Sequence, residues 1–128
     1  MARAVIYDVA DSLTVQGADC SPENPDSGVA VFYLGQPAYA LTDTSDVNNQ
    51  LTIVLRGIVR LSQDDIDGTI AFGNNIEINP STGALNAVPV GTSLTEQFYG
   101  VIFAVDAAAT VDVRLGGLPN ATDPQFAF

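Results

Sequence analysis

Residues 50–61 read "QLTIVLRGIVRL", and the alternation within them decides the fold class. Leu51, Ile53, Leu55, Val59 and Leu61 fall on one face of an extended chain. Thr52, Arg56 and Arg60 fall on the other, together with Val54 and Ile58. A period of two sustained over so many positions belongs to β-structure, because successive side chains of a strand point to opposite faces. The stretch reads as one long strand, or as two strands joined at a bend. Gly57 marks where a bulge or corner costs least, since glycine tolerates the irregular dihedrals such a feature needs.

Working outward, "TVDVRL" at 110–115 repeats the pattern, with Val111, Val113 and Leu115 opposite Thr110, Asp112 and Arg114. Shorter strand candidates are "AVFYL" (30–34), "AYAL" (38–41), "TIAF" (69–72), "IEI" (76–78) and "FYGVIFAV" (98–105), all containing β-branched or aromatic residues. Clusters of Gly, Pro, Asn, Asp and Ser separate them: "ENPDSG" (23–28), "DVNNQ" (46–50), "DDIDG" (64–68), "FGNN" (72–75) and "NPSTG" (79–83). Short strands at this spacing predict an all-β domain, a small barrel or sandwich. Helix is confined to single turns. "SLTE", Ser93–Glu96, matches a capping box, and "DAAAT" at 106–110 offers one more turn. The organisation expected is an N-terminal arm over 1–10, a β-domain over 11–118 and an irregular tail over 119–128.

A chain of 128 residues fits one domain, and its 47% hydrophobic content is enough for a core without metals or disulfides. Only 15% of residues are charged, against about 25% in average proteins. Fifteen acidic residues face four arginines and no lysine, for a formal net charge of -11. Nucleic acid and anionic membranes would repel such a chain, because phosphate binding needs clustered cations. Cys20 is the single cysteine, so no internal disulfide forms and its simplest role is a small buried filler. The start "MARAVIYDVAD" lacks the apolar core and cleavage site of a signal peptide, and no apolar run reaches membrane-spanning length. The sequence therefore points to a protein made in a cytoplasm, or assembled there into something larger.

The inventory of reactive groups points away from catalysis. Histidine is missing, which removes the commonest general base and metal ligand and leaves neither a serine nor Cys20 with a partner. No glycine-rich phosphate loop opens a helix. "DDIDG" shares Asp65, Asp67 and Gly68 with part of a calcium loop, but the next acid, Glu77, comes too late to close one. The aspartates are spread over every loop, so no pair is singled out for glycosidase chemistry. "NAT" at Asn120 fits the glycosylation pattern without a secretory context to use it. Neither a catalytic residue nor a cofactor or metal site is expected.

What remains are contact residues. Arg56, Arg60 and Arg114 lie on polar faces of the expected strands, either for bidentate pairing across a subunit contact or as ordinary surface pairs. Val5, Tyr7 and Val9 form one side of a half-apolar arm, and Phe126 and Phe128 end the tail beyond Pro124. Extended ends of this kind can add to an exposed sheet edge and place alternate side chains in pockets. The expectation is that one or both ends reach another subunit or a partner protein.

From residue 11 to residue 118 the order of motifs resembles the small capsid decoration, or cement, proteins of tailed phages, which have a β-tulip-like fold. The resemblance rests on Ser27-Gly28 before an apolar strand, Gly35 as a turn, and Ala40 to Asp43, "ALTD", closing the next strand. It continues through Gly57-Ile58-Val59, the segment Gly73 to Ala87 with "TGALNA", and Gly100 to Gly117 with its alanine-rich turn and "VRL". The loop at Ser21 to Pro25 is longer than the family's, "SQDDIDG" replaces a more usual alanine-rich or lysine-rich segment, and both ends lie outside it. The resemblance implies a structural protein on the capsid exterior of a virion. Such a protein clamps neighbouring major capsid subunits, often as a homotrimer, without catalytic residues. The alternative is a small acidic β-domain that binds calcium or glycans on a virion or cell surface.

Overall fold

The computed structural model describes residues 12–106 and 109–120. The decisive stretch 50–61 is two strands, β5 (Gln50–Val54) and β6 (Ile58–Ser62). Between them the chain turns a corner through Gly57, whose φ of 108° lies where a side chain would be strained. The corner carries the chain from one sheet to another, so the single apolar face expected along 51–61 is not kept. Leu51 and Ile53 enter one buried cluster, whereas Val54, Val59 and Leu61 enter a second.

The first sheet contains β1 (Ser12–Gln16), β2 (Cys20–Ser21), β3 (Ala30–Tyr33), β4 (Gln36–Ala40) and β5, in the order β1-β5-β4-β3-β2. All its pairings are antiparallel. The second contains β6, β7 (Ile66–Gly68), β8 (Asn75–Ile78), β9 (Leu85–Val88), β10 (Gln97–Asp106) and β11 (Thr110–Leu115), in the order β6-β11-β10-β8-β9-β7. Only β7 and β9 run parallel. Helix among the described residues is limited to two three-residue 3-10 turns, Gly17–Asp19 and Gln63–Asp65. The architecture is the all-β barrel or sandwich expected of the alternation.

The larger core lies between the sheets. Ala30, Phe32, Tyr39 and Val54 of the five-stranded sheet meet Val59, Leu61, Ile76, Ile78, Val111, Val113 and their neighbours from the six-stranded one. Tyr99 crosses this core and its hydroxyl donates to the Ala38 carbonyl at 2.7 Å, joining the two sheets. Complete burial pushes its phenol well above the ordinary value of 10.0, with Tyr39 adding to the shift. A smaller cluster of Val15, Cys20, Val31, Ala38, Ala40, Leu51 and Ile53 forms on the other face of the five-stranded sheet. Within β3 the members alternate: Ala30 and Phe32 to the larger core, Val31 to the smaller, with Tyr33 packed against the latter.

Two local expectations change. "TIAF" is not a strand; Thr69–Ala71 is irregular and Phe72 sits in a turn. The Asn74 side chain donates to Thr69 O (2.8 Å) and Asn74 N to Ala71 O (3.1 Å), so this backbone closes on itself rather than joining a ladder. "SLTE" forms no helical turn, because the amides of Thr95 and Glu96 are taken by the Glu77 carboxylate. Of "DAAAT", residues 107 and 108 lie outside the described residues; Ala109 N donates to Asp106 O (3.1 Å), and Asp106 pairs with Thr110 across β10 and β11.

Candidate functional site

The three arginines singled out by sequence take different positions. Arg60 and Asp112 are direct cross-strand partners on β6 and β11. The guanidinium donates from Nε to Oδ1 at 2.9 Å and from Nη2 to Oδ2 at 3.5 Å. The hydrogen bond to Asp112, and then its charge, hold Arg60 still more firmly protonated. Arg114 turns back on the chain that follows it, donating from Nη1 to Gly116 O (2.8 Å) and from Nη2 to Leu118 O (2.9 Å). Arg56 is exposed at the corner between the sheets.

Arg56 and Arg114 are brought together on one groove of about 630 Å³; Arg60 is not. Its apolar wall is built from Pro37, Leu55, Ile58 and Leu115. The corner after β5 and the turn after β11 meet here, because Leu115 N donates to Gly57 O at 3.0 Å. The groove thus sets two guanidinium groups at the edge of an apolar wall.

Arg114 also starts a row across the outer face of the six-stranded sheet. The registers set Ile58 beside Arg114, Arg114 beside Val101, Val101 beside Asn75, and Asn75 beside Val88. Residues 116–120 are anchored along this row. Arg114 holds their start, and Asn75 holds Asn120 through Asn120 N to Oδ1 (2.8 Å) and Nδ2 to Asn120 O (3.5 Å). Asn120 Nδ2 also donates to Gly73 O. The beginning of the expected tail is thus hydrogen-bonded to the β-domain.

Sequence reasoning missed Glu77. "IEI" places it opposite two core isoleucines, which reads as solvent-facing, yet its side chain is only 3% exposed. The loop 93–96 folds over it. Oε2 accepts from Thr95 N (2.8 Å) and Glu96 N (2.9 Å), and Oε1 from Asn86 Nδ2 (3.2 Å) and Thr95 Oγ1 (3.3 Å). Burial alone would raise its pKa; the four donors outweigh it and leave the group below the ordinary 4.5. The only signal in the sequence was Thr95-Glu96 before a strand, read there as a helix cap. The arrangement is structural, since all four partners are neutral donors that pin a loop.

Three exposed apolar residues neighbour the hydrogen bonds of Gly73 in sequence. Gly73 N donates to Ile102 O (2.9 Å) and Gly73 O accepts from Asn120, with Phe72 and Phe103 next in the chain to Gly73 and Ile102, and Leu118 two residues before Asn120. They are 75%, 46% and 82% exposed.

The acidic turn 64–68 forms one 3-10 turn, capped by Ser62 Oγ accepting from Asp64 N, and then β7. Among the described residues no three carboxylate or thiol groups are gathered as a metal site. Cys20 is buried in the smaller cluster, and burial, then Asp19, push its thiol up. Val5, Tyr7, Val9, Phe126 and Phe128 lie outside the described residues. No family model, curated protein or solved structure matches the chain.

Proposed function

We propose that this chain is a structural decoration protein that binds the outer surface of an assembled phage head and clamps neighbouring major capsid subunits, most naturally as a homotrimer. The observation that carries the reading is the order of motifs over residues 11–118, together with an all-β fold of the kind those motifs imply. The fold explains why several of these motifs hold glycine. Gly28 and Gly35 stand at φ 84° and 83°, and a Cβ on Gly100 would come within 2.3 Å of the Arg114 carbonyl.

Exposed apolar side chains support a binding role. Phe72, Phe103 and Leu118 offer apolar contact area to a partner. A net charge of -11 suits an exterior position over one facing packaged DNA. Binding only the assembled lattice stabilises it by mass action and needs no catalysis.

The test uses heads assembled with and without the protein. Mass spectrometry of purified particles is expected to find it at a copy number comparable to the major capsid protein. Heads lacking it are expected to assemble yet rupture at lower temperature or milder osmotic shock. Its absence from particles, or equal rupture thresholds, overturns the reading.

A further inference from the structure

A pit of about 260 Å³ opens at the seam between the two sheets. Ala30 of β3 lines it from the five-stranded sheet, and Leu61 of β6 and Leu85 of β9 line it from the six-stranded one. All three belong to the larger core, so the floor of the pit is core surface. The space is left by small residues at its border, Gly28, Gly83 and Ala84. Gly28 and Gly83 stand at φ 84° and 77°, where a side chain is strained, so the backbone keeps these two positions small. Val29, Asp65 and Ala84 around the pit are exposed, and it opens to solvent between them.

Among the described residues that line the pit, Asp65 alone is charged. It ends the 3-10 turn Gln63–Asp65, where the Ser62 cap and the Gln63 carbonyl, accepting from Ile66 N, fix the backbone that carries the carboxylate. At 260 Å³ the pit falls below the about 300–1,000 Å³ of ordinary small-molecule pockets, yet holds far more than the about 30 Å³ of one water. That is room for one inserted side chain. An apolar floor and a carboxylate on the wall complement a long aliphatic stem that ends in a cation, the build of lysine and arginine.

We propose that this pit is a socket for one basic side chain of a partner protein, with the stem against Leu61 and Leu85 and the cation on Asp65. The chain contains no lysine, and none of Arg56, Arg60 and Arg114 lines the pit. The cation then comes from a second molecule, and a net charge of -11 draws a basic surface toward this one. Under the decoration reading, on which this assignment rests for the partner alone, that molecule is a major capsid subunit.

Titrations of the free protein, followed by the methyl NMR signals of Val29, Leu61 and Leu85, test the socket without any capsid. The probes are n-butylammonium and n-propylguanidinium, the lysine and arginine side chains without their backbone, with n-butanol as the uncharged control at matched ionic strength. Both cations are expected to shift these signals saturably, and n-butanol only weakly. Asp65→Asn removes the charge and Ala84→Leu fills the mouth; each is expected to weaken binding of the cations about threefold or more. Cations that bind no better than n-butanol, or that bind both variants as tightly as the parent chain, overturn the socket. On heads, both substitutions are expected to lower the amount of protein bound. Undiminished binding of both variants to heads overturns the assignment to a capsid subunit and leaves the decoration reading intact. Cations held at the pit by a chain that ignores heads support the socket and overturn the decoration reading.

Discussion

The two sheets of this protein are apolar in different ways. The six-stranded sheet has one core face and an outer face that sets charged and polar side chains among apolar ones such as Ile58, Val101 and Val88. In β11, Val111, Val113 and Leu115 point inward while Thr110, Asp112 and Arg114 point out. Its outer face is organised by Arg60–Asp112, by the Arg114–Asn75 row and by Glu77. The five-stranded sheet carries an apolar cluster on each face, and its inner strand β3, "AVFY", shows no polar alternation at all, although β1 at the edge is mostly exposed. The lesson is that a strand clothed on both sides has no polar face to write into its sequence, whereas a strand with one covered face records its orientation residue by residue.

The sharpest way to break this comparison is to cut one isoleucine from each cluster. Ile53 belongs to the smaller and Ile76 to the larger, and both are fully buried. Ile53→Ala and Ile76→Ala should each cost about 2–5 kcal/mol in chemical denaturation. A much smaller loss for Ile53→Ala would show that the second face of the five-stranded sheet does not act as a core.

Glu77 tests the outer face of the six-stranded sheet. Replacing it with glutamine removes a charge and an acceptor from four donors, and should cost about 1–3 kcal/mol at neutral pH. Its folded pKa lies below the ordinary 4.5. The stability it contributes is therefore fully present above that value and is lost as pH falls through the lower folded value. Denaturation midpoints of the two proteins should converge over that acid range. A gap that persists unchanged through it would assign the cost to packing instead of charge.

The link between the sheets should give a smaller effect. Tyr99→Phe keeps the ring and removes only the hydroxyl bonded to Ala38 O, for an expected loss of about 1 kcal/mol. The smallest effect is expected at Arg60, whose partner is on the exposed face. Arg60→Ala should leave the melting temperature of the β-domain unchanged in low and high salt, because water and ions screen such pairs. A salt-dependent drop would raise this pair from a surface contact to a structural one.

Much was legible from local pattern. The period of two in 50–61 and 110–115, and the turn residues between runs, determined an all-β domain and several of its strands, because side-chain direction follows from backbone geometry alone. Gly57 announced a corner for the same reason: only its dihedrals make the bend cheap. "TIAF" misled because its composition suits a strand, while Asn74, two residues beyond it, closes that backbone into a turn. Glu77 and Ser93–Glu96 misled together. Each looks ordinary alone, and their pairing joins residues 18 and 19 positions apart.

The sequence by itself determined what each residue prefers: extended backbone, turns at glycine and asparagine, few cations among many acids. Tertiary structure alone decided which face each strand turns to which core, that Arg56 and Arg114 share a groove while Arg60 pairs along its sheet, and that a carboxylate between two isoleucines is buried. The reason is that alternation specifies two faces without saying what covers them. That is settled only when distant segments fold over a strand and exchange its water for side chains and hydrogen bonds.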